Sequence, residues 1–210
     1  MEPIIEQRTA EWHRQRLGKV TASRVGDATN RLKNNGYGAE RANYLMQLVV
    51  ERLTGDPTPF FANDAMQWGI DCEPAARAAY TAYCGLVVTE VGFIDHPTIP
   101  MAGASPDGLV DTLVDGMIEI KCPTSGTHIK TLLGEPINPN HIKQMMWQMA
   151  CTGRAWCDYV SFDPRLPVEY QLFVRQVERD DATIAVLEDE IRLFLSEVDA
   201  KLAALAALVA

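Results

Sequence analysis

Ser105-Pro106-Asp107-Gly108 and Glu119-Ile120-Lys121 are the most informative segments of this chain, with eleven residues between Asp107 and Glu119. Short β-rich runs surround both segments. Because side chains alternate along a strand, Glu119 and Lys121 share one face. The isoleucines on either side of Glu119 then point into the core. If the turn at Asp107 lies beside this strand, two carboxylates and one ammonium group converge.

Two carboxylates and a backbone carbonyl form a ligand set that suits Mg²⁺, a hard cation that also keeps water and phosphate oxygens. A protonated lysine does not ligate a metal. It orients a water molecule or stabilises charge that develops on phosphorus. This combination is what hydrolysis of a phosphodiester requires.

A purely structural alternative explains the same residues. Pro106-Asp107-Gly108 is good turn chemistry, and Glu119 with Lys121 could form a surface ion pair on an edge strand. The apolar residues around Glu119 favour a half-buried strand instead, in which a central charge needs partners.

The hydrophobic pattern along the chain changes period several times. Helices are predicted for residues 8–16, 21–28, 39–53, 125–133, 139–152 and 181–208, and for residues 63–84 with an interruption at Pro74. Strands are predicted for residues 86–94, 101–104, 109–113, 117–121, 156–162 and 168–177. This order predicts an α/β (α+β) protein with a mixed central β-sheet flanked by helices.

The composition is that of a globular protein. The 210 residues are 47% hydrophobic and 22% charged, which excludes collagen-like and disordered chains, and we expect one domain over residues 1–210. No apolar run reaches the length of a membrane span, and the N-terminus lacks the features of a signal peptide. Five cysteines without a CxxC motif favour reduced thiols, so we expect a cytoplasmic protein.

The net charge of −9 argues against a nucleic-acid partner, but its distribution does not. Residues 12–33 contain six basic residues and one acidic residue, whereas residues 178–201 contain eight acidic and three basic residues. The sequence therefore predicts a basic face that binds a polyanion and an acidic opposite side. Alternatively, the basic residues are ordinary solvated helix positions.

Three further segments occur in order with the two central ones. They are Trp12-His13-x-x-Arg16-Leu17-Gly18-x-x-Thr21-Ala22-Ser23, Trp68-Gly69-x-x-x-Glu73 and Gln144-Met145-Met146-Trp147-Gln148-Met149. With all five segments the chain resembles the lambda-type phage exonucleases, also called YqaJ-type viral recombinases, over nearly its whole length. The resemblance implies a restriction-endonuclease-like core.

The resemblance also implies an activity. Such enzymes degrade linear double-stranded DNA from the 5′ end, preferably 5′-phosphorylated, release 5′-mononucleotides processively and leave 3′ overhangs. They require Mg²⁺, with Mn²⁺ as a substitute and two ions per site expected. They form homotrimeric rings and work with a single-strand annealing protein in phage recombination, which implies a phage or prophage protein in the bacterial cytoplasm.

The resemblance assigns the catalytic roles residue by residue. Asp107 and Glu119 resemble the metal carboxylates, with the Ile120 carbonyl as a third ligand, and Lys121 resembles the lysine that positions the attacking water. Two further residues resemble a metal-associated acid and a glutamine near the nucleophile, namely Glu73 and Gln144. The alternatives are an exposed acid at a helix start and an ordinary polar helix position. Because Pro74 follows Glu73, the position of that carboxylate is in question.

The resemblance assigns DNA contacts as well. Arg16, Ser23 and Ser105 match a pocket for the 5′-terminal phosphate, which suits an arginine fork and two hydroxyl donors. As alternatives, Ser23 starts a helix and Ser105 belongs to a turn. Lys33 matches a basic residue near the duplex. Met66 matches an apolar residue that wedges between separating strands, or else it is a core methionine.

Other readings remain open from sequence alone. A restriction-type endonuclease would share the core, and an iron–sulfur nuclease would need four suitably spaced cysteines. A DNA-end-binding module without activity would keep the fold. The amphipathic helix over residues 181–208 serves either as a partner surface or, as its apolar stripe favours, in core packing or trimer contact.

Overall fold

The computed structural model describes residues 5–32, 36–58 and 63–209. In this part of the chain the helices are α1 (Ala10–Arg16), α2 (Val25–Ala28), α3 (Ala39–Thr54), α4 (Asp64–Cys84), α5 (Ser125–Leu132), α6 (Pro139–Thr152) and α7 (Asp181–Ala206). The strands are β1 (Val20–Thr21), β2 (Val88–Thr89), β3 (Ile94–Asp95), β4 (Ala102–Ala104), β5 (Gly108–Val110), β6 (Gly116–Lys121), β7 (Trp156–Phe162) and β8 (Leu172–Glu178). None of these helices combines the length and apolarity needed to cross a membrane.

A five-stranded mixed sheet carries the predicted site. Its strand order is β2-β5-β6-β7-β8, so β6 lies at the centre. Strand β6 runs parallel to β7 and antiparallel to β5. The predicted mixed sheet with flanking helices is confirmed, and the alternative of an edge strand at Glu119 is wrong.

Both faces of this sheet are covered by helices. One face contributes Met117 and Tyr159 to a core with α3, α6 and α7. The opposite face contributes Ile118 and Val160 to a second core that includes Tyr80 of α4. Strand β6 is therefore not half-buried, as its sequence suggested, because Met117 and Ile118 are both fully buried.

The chain passes between two sheets at the predicted turn. Strand β4 is the middle of a three-stranded sheet with the order β1-β4-β3, whereas β5 belongs to the five-stranded sheet. Residues 105–107 form the link between them. Gly108 already begins β5, where a Cβ would lie 2.1 Å from Val88 Cγ1. This glycine is needed for close approach of β2 and β5 and not for a turn.

Several predicted boundaries differ from the structure. The run 86–94 is not one strand: it is divided between β2 and β3, which belong to different sheets. Residues 21–28 are not a single helix, because Val20–Thr21 pair with β4 and a 3-10 turn precedes α2. Residues 168–170 also form a 3-10 turn before β8. The first two differences depend on pairing with a distant segment, which local periodicity does not encode.

Helix α4 continues through Pro74, so the predicted interruption is wrong. Proline removes one helical hydrogen bond, at a cost of about 3 kcal/mol. Tertiary contacts outweigh this cost, since Ala76 and Tyr80 are fully buried against the sheet. The Tyr80 hydroxyl also donates to Asp158 of β7 at 2.7 Å. Glu73 therefore lies within the helix and not at its start.

The sequence predicts that the basic segment (residues 12–33) and the acidic segment (residues 178–201) lie on opposite sides of the protein. In the structure the two segments are in contact. Arg31 forms an ion pair with Glu190 of α7. Arg14 and Arg24 pair with acids three residues away. These short-range pairs neutralise much of the basic segment. Of the basic residues in this segment that the structure describes, Arg16 lines the pocket described below.

Helix α7 packs into the core through its predicted stripe. The buried residues of this stripe are Ile184, Leu187, Ile191, Phe194 and Val198. Leu205, near the end of the helix, is 39% exposed. Of the roles predicted for this helix, core packing therefore explains the apolar residues from Ile184 to Val198.

Candidate active site

One pocket of about 590 Å³ brings the predicted site residues together. It lies among the loop after α1, the first half of α4, the end of β6 and the first half of α6. Its lining includes every predicted site residue that the structure describes: Arg16, Ser23, Met66, Glu73, Ser105, Asp107, Glu119, Ile120, Lys121 and Gln144. Lys33 lies outside the described residues.

Glu119 is held by two amides from α6. This carboxylate is 1% exposed. Gln144 Nε2 donates to Glu119 Oε1 at 2.6 Å, and Gln148 Nε2 donates to Glu119 Oε2 at 2.6 Å. The two glutamines are four residues apart, so they lie on the same face of the helix. Both carboxylate oxygens are thus oriented before any ligand binds.

Asp107 approaches Glu119 through a backbone contact. Its Oδ2 accepts a hydrogen bond from the Ile120 N–H at 2.7 Å. Burial raises the pKa of Asp107 well above its usual range, and the carboxylates of Glu119 and Glu73 raise it further. Acidic groups close enough to influence one another in this way favour a bound cation.

Lys121 provides the positive charge beside these acids. Its Nζ lies 2.6 Å from Glu119 Oε1 and donates to Gln144 Oε1 at 3.2 Å. Burial alone would lower the pKa of Lys121, but Glu119 and Asp107 outweigh it and raise the pKa above its usual range. The lysine is therefore an ammonium group, able to donate hydrogen bonds but not to accept a proton.

The donor set fits a hard divalent cation. Carboxylate and carbonyl oxygens are the ligands that Mg²⁺ prefers. Within the described ranges, no group of three or more His, Cys, Asp or Glu side chains is arranged to hold a metal ion. Side chains alone therefore do not complete a site, and the Ile120 carbonyl, water and substrate phosphate would supply the other ligands. Asp107 and Glu119 would contribute the negative charge.

Glu73 lies between two arginines in the same pocket. Its Oε2 pairs with Arg8, and its Oε1 lies 2.7 Å from Arg77 Nη2. Its side chain is only 13% exposed. The alternative of an exposed acid at a helix start is therefore wrong.

Arg16 presents an unpaired cation to the pocket. Its guanidinium lies 3.8 Å from the centroid of the Trp12 ring, one turn earlier in α1. No carboxylate of the described chain forms an ion pair with Arg16. Burial lowers the pKa of Arg16 to about 10, which leaves it charged at neutral pH. A partly buried cation in this state is suited to binding an anion.

Ser105 provides a hydroxyl on the same side. Trp12 Nε1 donates to Ser105 Oγ at 2.9 Å. Because an indole N–H only donates, Ser105 accepts this bond and keeps its own proton for a ligand. Ser23 Oγ lies 3.4 Å from Thr21 Oγ1 within a 3-10 turn. Met66 is 43% exposed, so it is not a core methionine.

Sequence reasoning missed three groups of this site. Gln148 belongs to the helix segment that carries the resemblance, and its spacing of four from Gln144 is a signal for a shared helix face, but the sequence assigns it no role. His141 is part of no ligand spacing in the sequence, yet it lines the pocket and stacks on Tyr159, with ring centroids 5.8 Å apart. Burial lowers the pKa of His141 to about 4, so its imidazole is neutral. Arg8 also lines the pocket, and no local pattern pointed to it.

Comparison with known proteins decides the family. The YqaJ-like viral recombinase domain matches residues 11–155. The chain belongs to this family. No match was found among curated proteins.

Solved structures agree with the family. The YqaJ-like chain is 52% identical to LHK-Exo, an alkaline exonuclease from Laribacter hongkongensis, covering 96% of this chain and 100% of that one with a TM-score of 0.87. A structure of LHK-Exo in complex with dAMP gives the same identity and coverage with a TM-score of 0.88. A phage-related exonuclease from Haemophilus somnus 129PT is 14% identical, with 89% and 96% coverage and a TM-score of 0.69, and shows the fold alone. The restriction-endonuclease-like fold predicted from the sequence is thereby confirmed.

Proposed function

We propose that this YqaJ-family protein is a Mg²⁺-dependent 5′-to-3′ exonuclease of linear double-stranded DNA. It releases 5′-mononucleotides and leaves 3′ single-stranded overhangs for phage-type recombination. A nuclease of the phage exonuclease type is supported by the family and by the 52% identity to an alkaline exonuclease. The complex of that relative with dAMP, a mononucleotide, supports the proposed product.

The observation that carries this proposal is the arrangement around Glu119. Asp107, Lys121 and Gln144 converge on it in a pocket that also contains the unpaired Arg16. Hydrolysis of a phosphodiester needs a site for a cation, a donor for the attacking water and a site for the substrate phosphate. All three kinds of group are present here.

In the proposed mechanism, Asp107, Glu119 and the Ile120 carbonyl would hold Mg²⁺, with Mn²⁺ as a substitute and two ions expected per site. A cation held there would supply Lewis-acid chemistry, namely polarisation of the scissile phosphate and stabilisation of the departing 3′ oxygen. Lys121 donates a hydrogen bond to the attacking water and fixes its position. Gln144 keeps Lys121 in place through its Oε1 and keeps Glu119 in place through its Nε2.

Arg16, Ser23 and Ser105 bind the 5′-terminal phosphate. Hydrolysis of the first phosphodiester releases a nucleotide with a 3′ hydroxyl and leaves a new 5′-phosphate on the shortened strand. This phosphate occupies the same pocket, so each cycle restores the register for the next one. Met66 separates the strands at the pocket entrance, and Lys33 contacts the duplex.

Digestion of one duplex sequence in three forms tests the proposal. The forms are a linear 5′-phosphorylated duplex, the linear 5′-hydroxyl duplex and a covalently closed circle. We expect Mg²⁺-dependent loss of the linear forms only, fastest for the 5′-phosphorylated one, and no digestion in EDTA. Mononucleotides released from a 5′-labelled strand identify polarity and product together.

Each contrary result points to a specific rival. Cutting of the closed circle would identify an endonuclease with the same core. Binding of DNA ends without digestion in any divalent cation would identify a DNA-end-binding module. Release of label from a 3′-labelled strand first would reverse the polarity.

We further propose that the protein forms a homotrimeric ring around DNA. The support is the family and the net charge of −9, since enclosure in a ring would retain DNA that the overall charge repels. Light scattering is expected to give three times the 23.3 kDa of one chain. A monomer mass at micromolar concentration would contradict the ring.

The remaining elements of the proposal follow from the same family. The whole chain, residues 1–210, forms one nuclease domain. It acts in the cytoplasm of a bacterial host from a phage or prophage gene, and a single-strand annealing protein takes over the 3′ overhang. The tests are activity of the isolated chain and co-purification with the annealing protein of the same phage.

A further inference from the structure

We propose that Arg77 is a positioning residue for the nuclease site, which orients Asp107 and Glu73 without contacting DNA. The inference rests on the proposed Mg²⁺ site. In this proposal, Arg77 holds residues 105–107, which link the two sheets, in a fixed position against α4.

The contacts of Arg77 use its whole guanidinium group. Nε and Nη2 donate to the backbone carbonyl of Asp107 at 3.2 and 3.1 Å. Nη2 also donates to Glu73 Oε1 at 2.7 Å, and Nη1 lies 2.9 Å from Glu90 Oε1. One side chain thus joins the main chain at one acid of the site to the carboxylate of another.

Asp107 depends on this contact because of its place in the chain. It follows β4 and precedes β5, so it lies where the chain leaves one sheet for the other. Its carboxylate is fixed by the Ile120 N–H of β6. Its carbonyl is fixed from α4 by Arg77. Together the two contacts fix both the side chain and the backbone carbonyl of Asp107. With only one of them, the other group could still rotate.

Arg77 itself does not line the pocket. Its side chain is 13% exposed and lies one helical turn after Glu73. Any effect on DNA digestion must therefore pass through the acids that it holds. Partners of this kind commonly change metal affinity or activity by about 10- to 100-fold when they are replaced.

Arg154 provides a matched control at the opposite end of β5 and β6. Its Nη1 donates to the carbonyls of Val110 and Gly116 at 3.0 and 3.3 Å. It also pairs with Asp111 at 2.7 Å, and its side chain is 14% exposed. It makes the same kinds of contact as Arg77, but outside the pocket. Loss of its contacts therefore affects the stability of the β5–β6 hairpin and not the geometry of the pocket.

The test compares Arg77→Lys with Arg154→Lys in the full chain. Lysine keeps the charge but loses the planar fork. Calorimetric titration with MgCl₂ in the absence of DNA measures metal affinity, and digestion of the 5′-phosphorylated duplex gives kcat and KM. For Arg77→Lys we expect Mg²⁺ affinity and kcat to fall about tenfold with KM unchanged. For Arg154→Lys we expect all three values to match the wild type.

The outcomes separate this inference from the proposed function. Wild-type Mg²⁺ affinity and kcat in Arg77→Lys, or equal losses in both variants, would overturn the positioning role while leaving the nuclease intact. If the free wild-type protein binds no Mg²⁺ because the substrate phosphate is needed as a ligand, the MgCl₂ concentration that gives half-maximal digestion is compared instead. A wild-type protein that digests no DNA at any MgCl₂ concentration would overturn both. If Arg77→Lys does not fold, Arg77→Gln, which keeps an N–H donor, is measured against Arg154→Gln by the same criteria.

Discussion

Lys121→Met is expected to reduce kcat for DNA digestion by about 100- to 1,000-fold, because it removes the ammonium donor from the reacting centre. Methionine keeps much of the length of the stem but has neither charge nor proton. Glu119 retains its hydrogen bonds to Gln144 and Gln148, so the acid stays in place. The measurement is the initial rate at saturating Mg²⁺ and saturating 5′-phosphorylated duplex.

Two controls make this result specific. Lys201→Met removes an exposed lysine near the end of α7 and is expected to digest DNA at the wild-type rate. The melting temperature and the affinity for duplex ends, measured in Ca²⁺, show whether Lys121→Met still folds and binds. A folded variant that digests DNA at the wild-type rate would show that Lys121 lies outside the chemistry.

Arg16→Ala is expected to remove the preference for 5′-phosphorylated ends. A charge-assisted contact to phosphate contributes about 1.5–3 kcal/mol, which corresponds to about 10- to 100-fold in rate on phosphorylated ends. Release of the first nucleotide from a 5′-hydroxyl end should change little, since the phosphate contact is absent until the first cut creates a 5′-phosphate. The quantity to measure is therefore the ratio of the two rates for release of the first nucleotide, taken from single-turnover digestion of the two substrates.

Arg14→Ala is the matched control for this prediction. Arg14 lies two residues earlier in the same helix, and its side chain is 72% exposed and paired with Glu11. Its rate ratio should equal that of the wild type. If Arg16→Ala slowed both substrates equally, Arg16 would contribute to general DNA binding and not to a phosphate pocket.

The predicted acids and lysine could be found from sequence because their signal is local. Alternation along one strand placed Glu119 and Lys121 on the same face, and the structure has both in one pocket. The partners of Glu119 lie on α6, more than twenty residues away. Their helical spacing was visible, but which carboxylate they hold was not.

Pro74 illustrates the opposite case. Its intrinsic preference predicted an interruption, and α4 continues because Tyr80 and Ala76 pack against the sheet. Local propensity is a matter of a few kcal/mol, and burial of a helix face exceeds it. The same packing puts Glu73 beside Arg8, which is 65 residues away in the sequence, and puts Arg77 beside the carbonyl of Asp107, which is 30 residues away.

By itself, the sequence determined most of the helices and strands, the mixed sheet and the grouping of Asp107, Glu119 and Lys121, because periodicity and short motifs are properties of neighbouring residues. The other residues of the pocket were implied by the resemblance to a family. Only the tertiary structure decided the burial of Glu119, the unpaired state of Arg16 and the contact of Arg77 with Asp107. These features depend on which distant segments pack together. Packing also fixes the distance and solvent exposure of each charge, and these two quantities determine what the charge can bind.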